Sequence, residues 1–321
     1  MNPSRPTIDI LGLGAVTIDD LVYVESYPSA DAKVPVLRSQ RLCGGLTSTA
    51  LVAASRLGLK TAYAGVLGTD ELSNFLTECM KSQGVDMTGA LRRPGVQPIH
   101  AFIVVDEAKH TRNVFVDLSG SSGADPFWPA EELLCSTKVL FVDHVGLPGM
   151  IRAAKICQEN RTPIVADFES AVGAEFQELL GLVDHLILSQ SFAETLTGEQ
   201  NPAAAALALW GANREAVVVT GGSAGCWYIG KNAPNKVRHQ PAFKVDAADT
   251  TGCGDVFHGA YAAALAENCS LADRIVFASA TAAIKATGPG GQSGIPSRLV
   301  VNAFLKEHRI AEVDALAVAP K

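Results

Sequence analysis

Asp249-Thr250-Thr251-Gly252-Cys253-Gly254-Asp255, followed at once by Val256-Phe257-His258-Gly259, is the stretch on which the reading of this chain turns. Gly252 and Gly254 cannot drive a helix, but they allow backbone N–H groups to point into one small space. A helix is expected over 255–267, because Val256, Phe257, Ala260, Ala264 and Leu265 recur at helical spacing. A glycine turn at a helix N-terminus is an anion site, since unpaired N–H groups and the positive end of the helix dipole converge there. Asp255 stands at the mouth of the turn, where an acid can take the proton of an attacking hydroxyl. The dipole should favour its ionised form. A plain helix cap after a glycine turn is the competing reading. Two acids flanking two threonines and two glycines are harder to dismiss in that way.

Outward from this turn, apolar runs alternate with helical patterns, the signature of βαβ units and a mostly parallel sheet. Core strands are expected at 8–13, 61–66, 138–142, 164–167, 185–188 and 216–220. Their near-continuous apolar character fits strands covered by helices on both faces. Helices are expected at 47–57, 70–83, 150–158, 191–197, 202–210 and 271–286. Gly58, Gly84, Gly198 and Gly211 follow four of them, as helix-ending residues do. Two stretches, 34–42 and 99–118, alternate apolar and polar residues instead, with a turn near 106–109. Alternation means a sheet with one wet face, read here as a small antiparallel sheet projecting from the main body.

Composition narrows the class. The chain has 321 residues, 48% hydrophobic and 18% charged, with a net charge of −7. Nothing basic clusters, which excludes a nucleic-acid footprint. The apolar stretches are broken well before the length of a membrane span, so no membrane partner is expected. Seven scattered cysteines with no C-x-x-C pair argue against a disulfide framework or a zinc site, and the cytoplasm is the default location.

The seven-residue stretch with Val256-Phe257-His258-Gly259 resembles the second signature of the ribokinase-like (PfkB) carbohydrate kinases. Cys43-Gly44-Gly45-Leu46-Thr47-Ser48-Thr49-Ala50, running into Ala54-Ser55-Arg56-Leu57-Gly58, resembles the first. The last third, with Pro289-Gly290-Gly291 and Gly294-Ile295-Pro296, looks closest to the sulfofructose kinase branch. The resemblance implies an α/β ribokinase-like fold: one kinase domain over residues 1–321, a mostly parallel central sheet with helices on both faces, and lid segments at about 20–43 and 97–118. It implies an ATP-dependent sugar kinase, a phosphotransferase that passes the γ-phosphoryl group to a primary hydroxyl. Asp255 matches the catalytic base, and Gly252, Cys253 and Gly254 the anion hole. Asp19, Gly44, Gly45 and Thr49 match substrate contacts. Thr220, Gly221, Gly222 and Gly225 match the nucleotide turn. Asp249 and Thr251, with carbonyls near Gly290 and Gly294, match a potassium site, so K+ joins ATP and Mg2+ among the expected cofactors. A homodimer through the lid is implied as well.

The chain departs from that family at two places. Thr49 stands where an Asn is usual, and Ser189-Gln190-Ser191-Phe192 lacks both groups of an Asn-x-x-Glu motif linked to magnesium. Magnesium is therefore expected on ATP phosphates and water, without a named protein ligand. Val116 and Val145 look apolar where a sulfonate would need donors. Lys33 or Arg112 could meet an anionic group on the substrate, and Asp143 and His144 could face the pocket or form a satisfied strand end. Three other functions stay open: a non-catalytic sugar or nucleotide sensor on the same scaffold, a nucleoside kinase, and a nucleotide-binding oxidoreductase built on Gly12-Leu13-Gly14. The last is weak, because Thr17 replaces the third glycine of the dinucleotide fingerprint.

Overall fold

The computed structural model describes residues 8–109, 111–170 and 173–308. The expected domain ends, 1–7 and 309–321, and lid position 110 lie outside the described residues. The chain opens with β1 (Ile8–Gly12), β2 (Thr17–Val24), β3 (Arg38–Gly44), α1 (Leu46–Arg56), β4 (Thr61–Tyr63) and β5 (Val66–Leu67). Next come α2 (Glu71–Ser82), β6 (Leu91–Arg92), β7 (Ile99–Asp106), β8 (Thr111–Asp117), α3 (Glu131–Cys135), β9 (Thr137–Val142) and α4 (Leu147–Glu159). The middle holds β10 (Ile164–Asp167), α5 (Glu175–Leu182), β11 (His185–Ser189), α6 (Gln190–Thr197), α7 (Pro202–Ala208), β12 (Ala216–Thr220), β13 (Cys226–Gly230) and β14 (Arg238–Gln240). Three helices close the described chain: α8 (Cys253–Ala266), α9 (Leu271–Ala286) and α10 (Arg298–Glu307).

Eight strands form the main sheet in the order β14-β13-β12-β11-β10-β9-β1-β4. Pairing is parallel from β12 to β4 and antiparallel among β12, β13 and β14. Successive residues of each strand feed different cores. Phe141, Val165, Ile187 and Val218 join the cluster under α1, α8 and α9. Their neighbours Leu140, Val142, Ala166, Leu186 and Val217 join the cluster on the other face, with Met150, Ala154, Leu179 and Ala206. Both faces are dry, which is why these strands read as continuous apolar runs. The strand order changes direction between β1 and β9. Parallel α/β sheets bind ligands at such a switch point, beyond the carboxyl ends of the strands.

A separate four-stranded sheet, in the order β3-β2-β7-β8, makes the expected lid. The β2–β3 and β7–β8 pairs are antiparallel, while β2 and β7 run parallel. The lid begins at Thr17 rather than at 20, because β2 follows directly from β1 and supplies a central strand. Asp19 therefore sits in mid-strand and not on a turn. In the other direction, alternation over 34–42 overextends the next strand. Residues 34–37 stay exposed outside it, and Pro35 has no N–H to give to a ladder.

The helix after the glycine turn begins at Cys253, two residues before the expected start. Asp255 thus lies inside its first turn. The helix expected at 202–210 stops at Ala208, so Gly211 is not its cap. Gly58, Gly84 and Gly198 do take left-handed backbone after their helices. No helix among the described residues is long and apolar enough to cross a membrane.

Candidate active site

A cavity of about 470 Å³ opens at the switch point, under the lid. Ala15 reaches it from beyond β1, His144 and Val145 from beyond β9, and Glu169 from beyond β10. Thr17, Ile99 and Arg112 come down from the lid, Gly45 and Leu46 from the start of α1. Thr250, Thr251, Gly252, Gly254 and Asp255 form the remaining wall. A wider groove of about 840 Å³ lies at the opposite end of the strands, beside Asp184, His185 and Gly230. The smaller cavity is the candidate site, because it combines the strand carboxyl ends, the switch point and a helix N-terminus.

The anion turn is built as the glycines require. Gly252 adopts φ 73°, left-handed backbone that glycine takes without strain. A Cβ there would meet the Gly291 carbonyl at 2.8 Å. The first N–H groups of a helix have no partner within it. That of Cys253 turns back on the Thr250 carbonyl at 3.2 Å, which weakens its part in an anion hole. Its thiol points away, toward the Ala282 carbonyl at 3.6 Å. The N–H groups of the cavity-lining residues Gly252, Gly254 and Asp255 are the donors that remain.

Asp255 does not sit in a purely favourable field. Burial, and then the charges of Asp167 and Glu169, push its carboxyl well above the usual range, with His258 pulling the other way. The helix dipole is expected to favour its ionised form; burial and the neighbouring acids act in the opposite direction. Beneath it, His258 faces two carbonyls, Gly254 at 2.8 Å and Ile187 at 3.0 Å, and lies 3.3 Å from the Asp167 carboxyl. Asp167 is itself buried, which raises its pKa, with Glu169 and Asp143 adding to the shift.

Asp249 stands at the other end of the turn. Burial alone would raise its pKa, but N–H groups of Thr251 and Gly290, at 2.8 and 2.9 Å, hold the carboxylate below its usual range. Arg112 reaches from the lid to within 3.9 Å of the same carboxylate. Lys285, fully buried, donates to the Asp249 carbonyl at 2.8 Å.

On the lid, Asp19 pairs in register with Ala101, and Ala101 with Val116, so the three share one face. Arg112 and the cavity-lining Thr17 lie on that face too. The Asp19 carboxyl accepts from Thr17 Oγ1 at 2.9 Å, and burial raises its pKa. Its charge is felt by Asp255. Gly44 is required beside it, since a Cβ would lie 2.3 Å from the Asp19 carboxylate.

The structure thus brings Gly45, Thr251, Gly252, Gly254 and Asp255 to one cavity. Asp19, Gly44 and Cys253 do not line it; Asp19 and Gly44 lie against each other, next in the chain or on the same strand face as the lining residues Gly45 and Thr17. Thr49 is not among the lining residues: it is buried in α1 and accepts from Gln292 Nε2 at 3.2 Å. Thr220, Gly221, Gly222 and Gly225 lie in the turn between β12 and β13, at the carboxyl edge of the sheet but outside this cavity. Asp143 is a satisfied strand end, accepting from Ala15 N–H, Thr47 Oγ1 and Val145 N–H, whereas His144 lines the cavity. No helix follows Gly12-Leu13-Gly14, because Thr17 opens a strand, so the dinucleotide reading fails on structure as well. Sequence reading missed Glu169, Asp167 and Lys285. The acids end a core strand, a position that flags them. Lys285 is a lone charge in the apolar run 282–286.

A doubly covered parallel sheet with a second, small sheet over a glycine turn at a helix N-terminus defines a class of site suited to phosphoryl transfer. The pfkB family carbohydrate kinase model matches residues 9–298, and the chain belongs to that family. It is a carbohydrate kinase, a phosphotransferase with an alcohol acceptor. It is 30% identical to the ribokinase of Haemophilus influenzae over 311 residues, covering 94% of this chain and 99% of that one. With fructokinase-1 of Zea mays it shares 26% identity, covering 91% and 96% of the two chains. Among solved structures, ribokinase from Thermotoga maritima superposes with a TM-score of 0.80 at 26% identity, covering 93% of this chain and 99% of that one. Arabidopsis thaliana ribokinase, complexed with ribose and ATP, has the same fold, with a TM-score of 0.81 at 21% identity and coverage of 93% and 99%.

Proposed function

We propose that this chain is an ATP-dependent kinase of a small neutral sugar, a single domain acting in the cytoplasm. The observation that carries the reading is the cavity itself, where Asp255 and the Gly252–Gly254 turn face a lid bearing Asp19. In this reading the sugar lies between Asp19 and Asp255, which orient its hydroxyls and place the primary one against the base. Asp255 takes the hydroxyl proton as the oxygen attacks the γ-phosphorus. The N–H groups of the turn stabilise the charge spread over the moving phosphoryl oxygens. ATP reaches in from the Thr220–Gly225 edge, and magnesium enters on its phosphates and water.

For the acceptor, a neutral ketose or pentose is favoured over a sulfonated sugar. The apolar Val145 lines the cavity and Val116 shares the lid face of Asp19, and neither offers a donor to a sulfonate. The relatives named ribokinase and fructokinase point the same way. The opposite lid face carries Phe102 paired with Phe115, both about half exposed. A second copy of the chain is the proposed cover for it, giving a homodimer.

A panel of ribose, fructose, sulfofructose, sugar acids and nucleosides, read as ADP release, tests this reading. Turnover on a neutral sugar, lost by at least about a thousandfold in Asp255→Asn while sugar and ADP still bind, is the expected result. Binding without ADP release on any acceptor would favour the sensor instead.

A further inference from the structure

Lys285 has no part in the chemistry described so far, yet it is fully buried in the last turn of α9. Lysine is among the residues least often buried completely, because its ammonium gives up strong hydration. Here the ammonium donates to the Asp249 carbonyl at 2.8 Å. The segment around it is laced tightly. Ala248 and Asp249 N–H both reach the Ala286 carbonyl, at 2.8 and 3.0 Å, and the Asp249 carboxylate accepts from Thr251 and Gly290 N–H. The charge therefore sits in a rigid frame directly behind the anion turn. Burial lowers the pKa of the ammonium, while the carboxylates of Asp249 and Asp255 act to keep it charged and Arg112 acts against them.

This is the neighbourhood in which resemblance implies a potassium ion, held by Asp249 and by carbonyls near Thr251. The residues present fit that ion poorly. The Asp249 carboxylate already accepts the Thr251 and Gly290 N–H groups, at 2.8 and 2.9 Å, and faces the Arg112 guanidinium at 3.9 Å, while the Lys285 ammonium holds the backbone carbonyl of the same residue. A third positive charge at this carboxylate would meet repulsion from both.

We propose that Lys285 supplies, as a fixed part of the chain, the positive charge that a monovalent metal would bring to this turn, so that the kinase needs no potassium. Lys285 acts through the Asp249 carbonyl and the frame of the turn, which makes it a positioning residue rather than a catalytic one. Its charge lies on the side of the turn away from the cavity, where it adds to the field of the Gly252–Asp255 N–H groups without touching the phosphoryl group. The inference rests on reading the turn as the site of the γ-phosphoryl group.

The experiment compares the wild type with Lys285→Met and Lys285→Ala in potassium, ammonium, sodium and tetramethylammonium chloride at equal ionic strength. Turnover, ADP affinity and melting temperature are all recorded. The wild type should be indifferent to the cation in all three. Lys285→Met, which fills the space without charge, should lose about tenfold or more in kcat with little change in sugar KM, and no cation should restore it. Lys285→Ala opens room for a cation, and its ADP affinity and turnover should recover in potassium or ammonium but not in tetramethylammonium. Acceleration of the wild type by potassium would overturn the inference, and needs no variant to fold. So would an uncharged variant as active as the wild type in tetramethylammonium. If no acceptor turns over while ADP affinity follows the expected cation pattern, the kinase reading fails and the role of Lys285 stands. If sugar is phosphorylated but only with potassium, the reverse holds.

Discussion

The two sheets of this molecule put similar residues to opposite uses. Phe141, in β9 of the eight-stranded sheet, is fully buried between layers, and its strand neighbours are too. Phe115, in β8 of the lid, is 52% exposed, in a strand with every residue exposed. The main sheet derives its rigidity from two dry faces. The lid is held by its ladder and by its roots at β1 and α1, and its side chains remain available to a ligand or a second copy. The main sheet carries the glycine turn at its carboxyl edge, and the small sheet carries Asp19 and Arg112.

That contrast can be broken most directly by truncation. Phe141→Ala should cost about 3–5 kcal/mol in urea unfolding, through lost burial and a cavity that cannot collapse. Phe115→Ala should stay within about 0.5 kcal/mol when unfolding is followed at a concentration too low for a second copy to cover that face. Equal costs would mean that the lid is as well packed as the core. A second test moves to function. Arg112→Met removes the lid cation from the cavity wall and should lower kcat/KM by about tenfold or more, as loss of an electrostatic contact to a phosphoryl group does, with the melting temperature unchanged. A shift in stability with intact kinetics would instead make Arg112 a structural latch on Asp249.

The smallest effect concerns pH. Asp255 must be ionised to act as the base, and its pKa is raised by burial and then by Asp167. Activity should therefore appear only as pH rises through a value above the ordinary carboxylate range. Removing a like charge lowers that pKa, so Asp167→Asn should move the acid limb of kcat/KM to lower pH. An unmoved limb would mean that Asp167 is protonated throughout and carries no charge to remove, as its own raised pKa allows.

The same contrast decides what the sequence could tell. Core strands such as Ile164–Asp167 and Ala216–Thr220 were legible residue for residue, because strands dry on both faces write unbroken apolar runs. The strand Thr17–Val24 was not. Its two mid-strand acids, Asp19 and Asp20, look like a turn, and only the sheet sends one to the cavity face and the other outward to Arg41. The glycine turn ahead of a helix, with Asp255 in the first turn, was legible because it is written in local chain geometry. Thr49 was misleading, since motif position cannot report that α1 turns its hydroxyl toward Gln292. Glu169 could have been flagged by its place just beyond β10, whereas Lys285 needed the tertiary fold, which brings α9 against Asp249.

The short passage from β1 into β2 ties the small sheet to the carboxyl edge of the main one. Asp19 and Arg112 are carried by the same small sheet, and Arg112 lies 3.9 Å from the Asp249 carboxylate. In the proposed kinase, lifting that sheet would take the anchor of the sugar and the guanidinium neighbour of Asp249 away together. The charge beside the turn would then be conditional on the acceptor, and water, which cannot hold the sheet down, would meet an incomplete site.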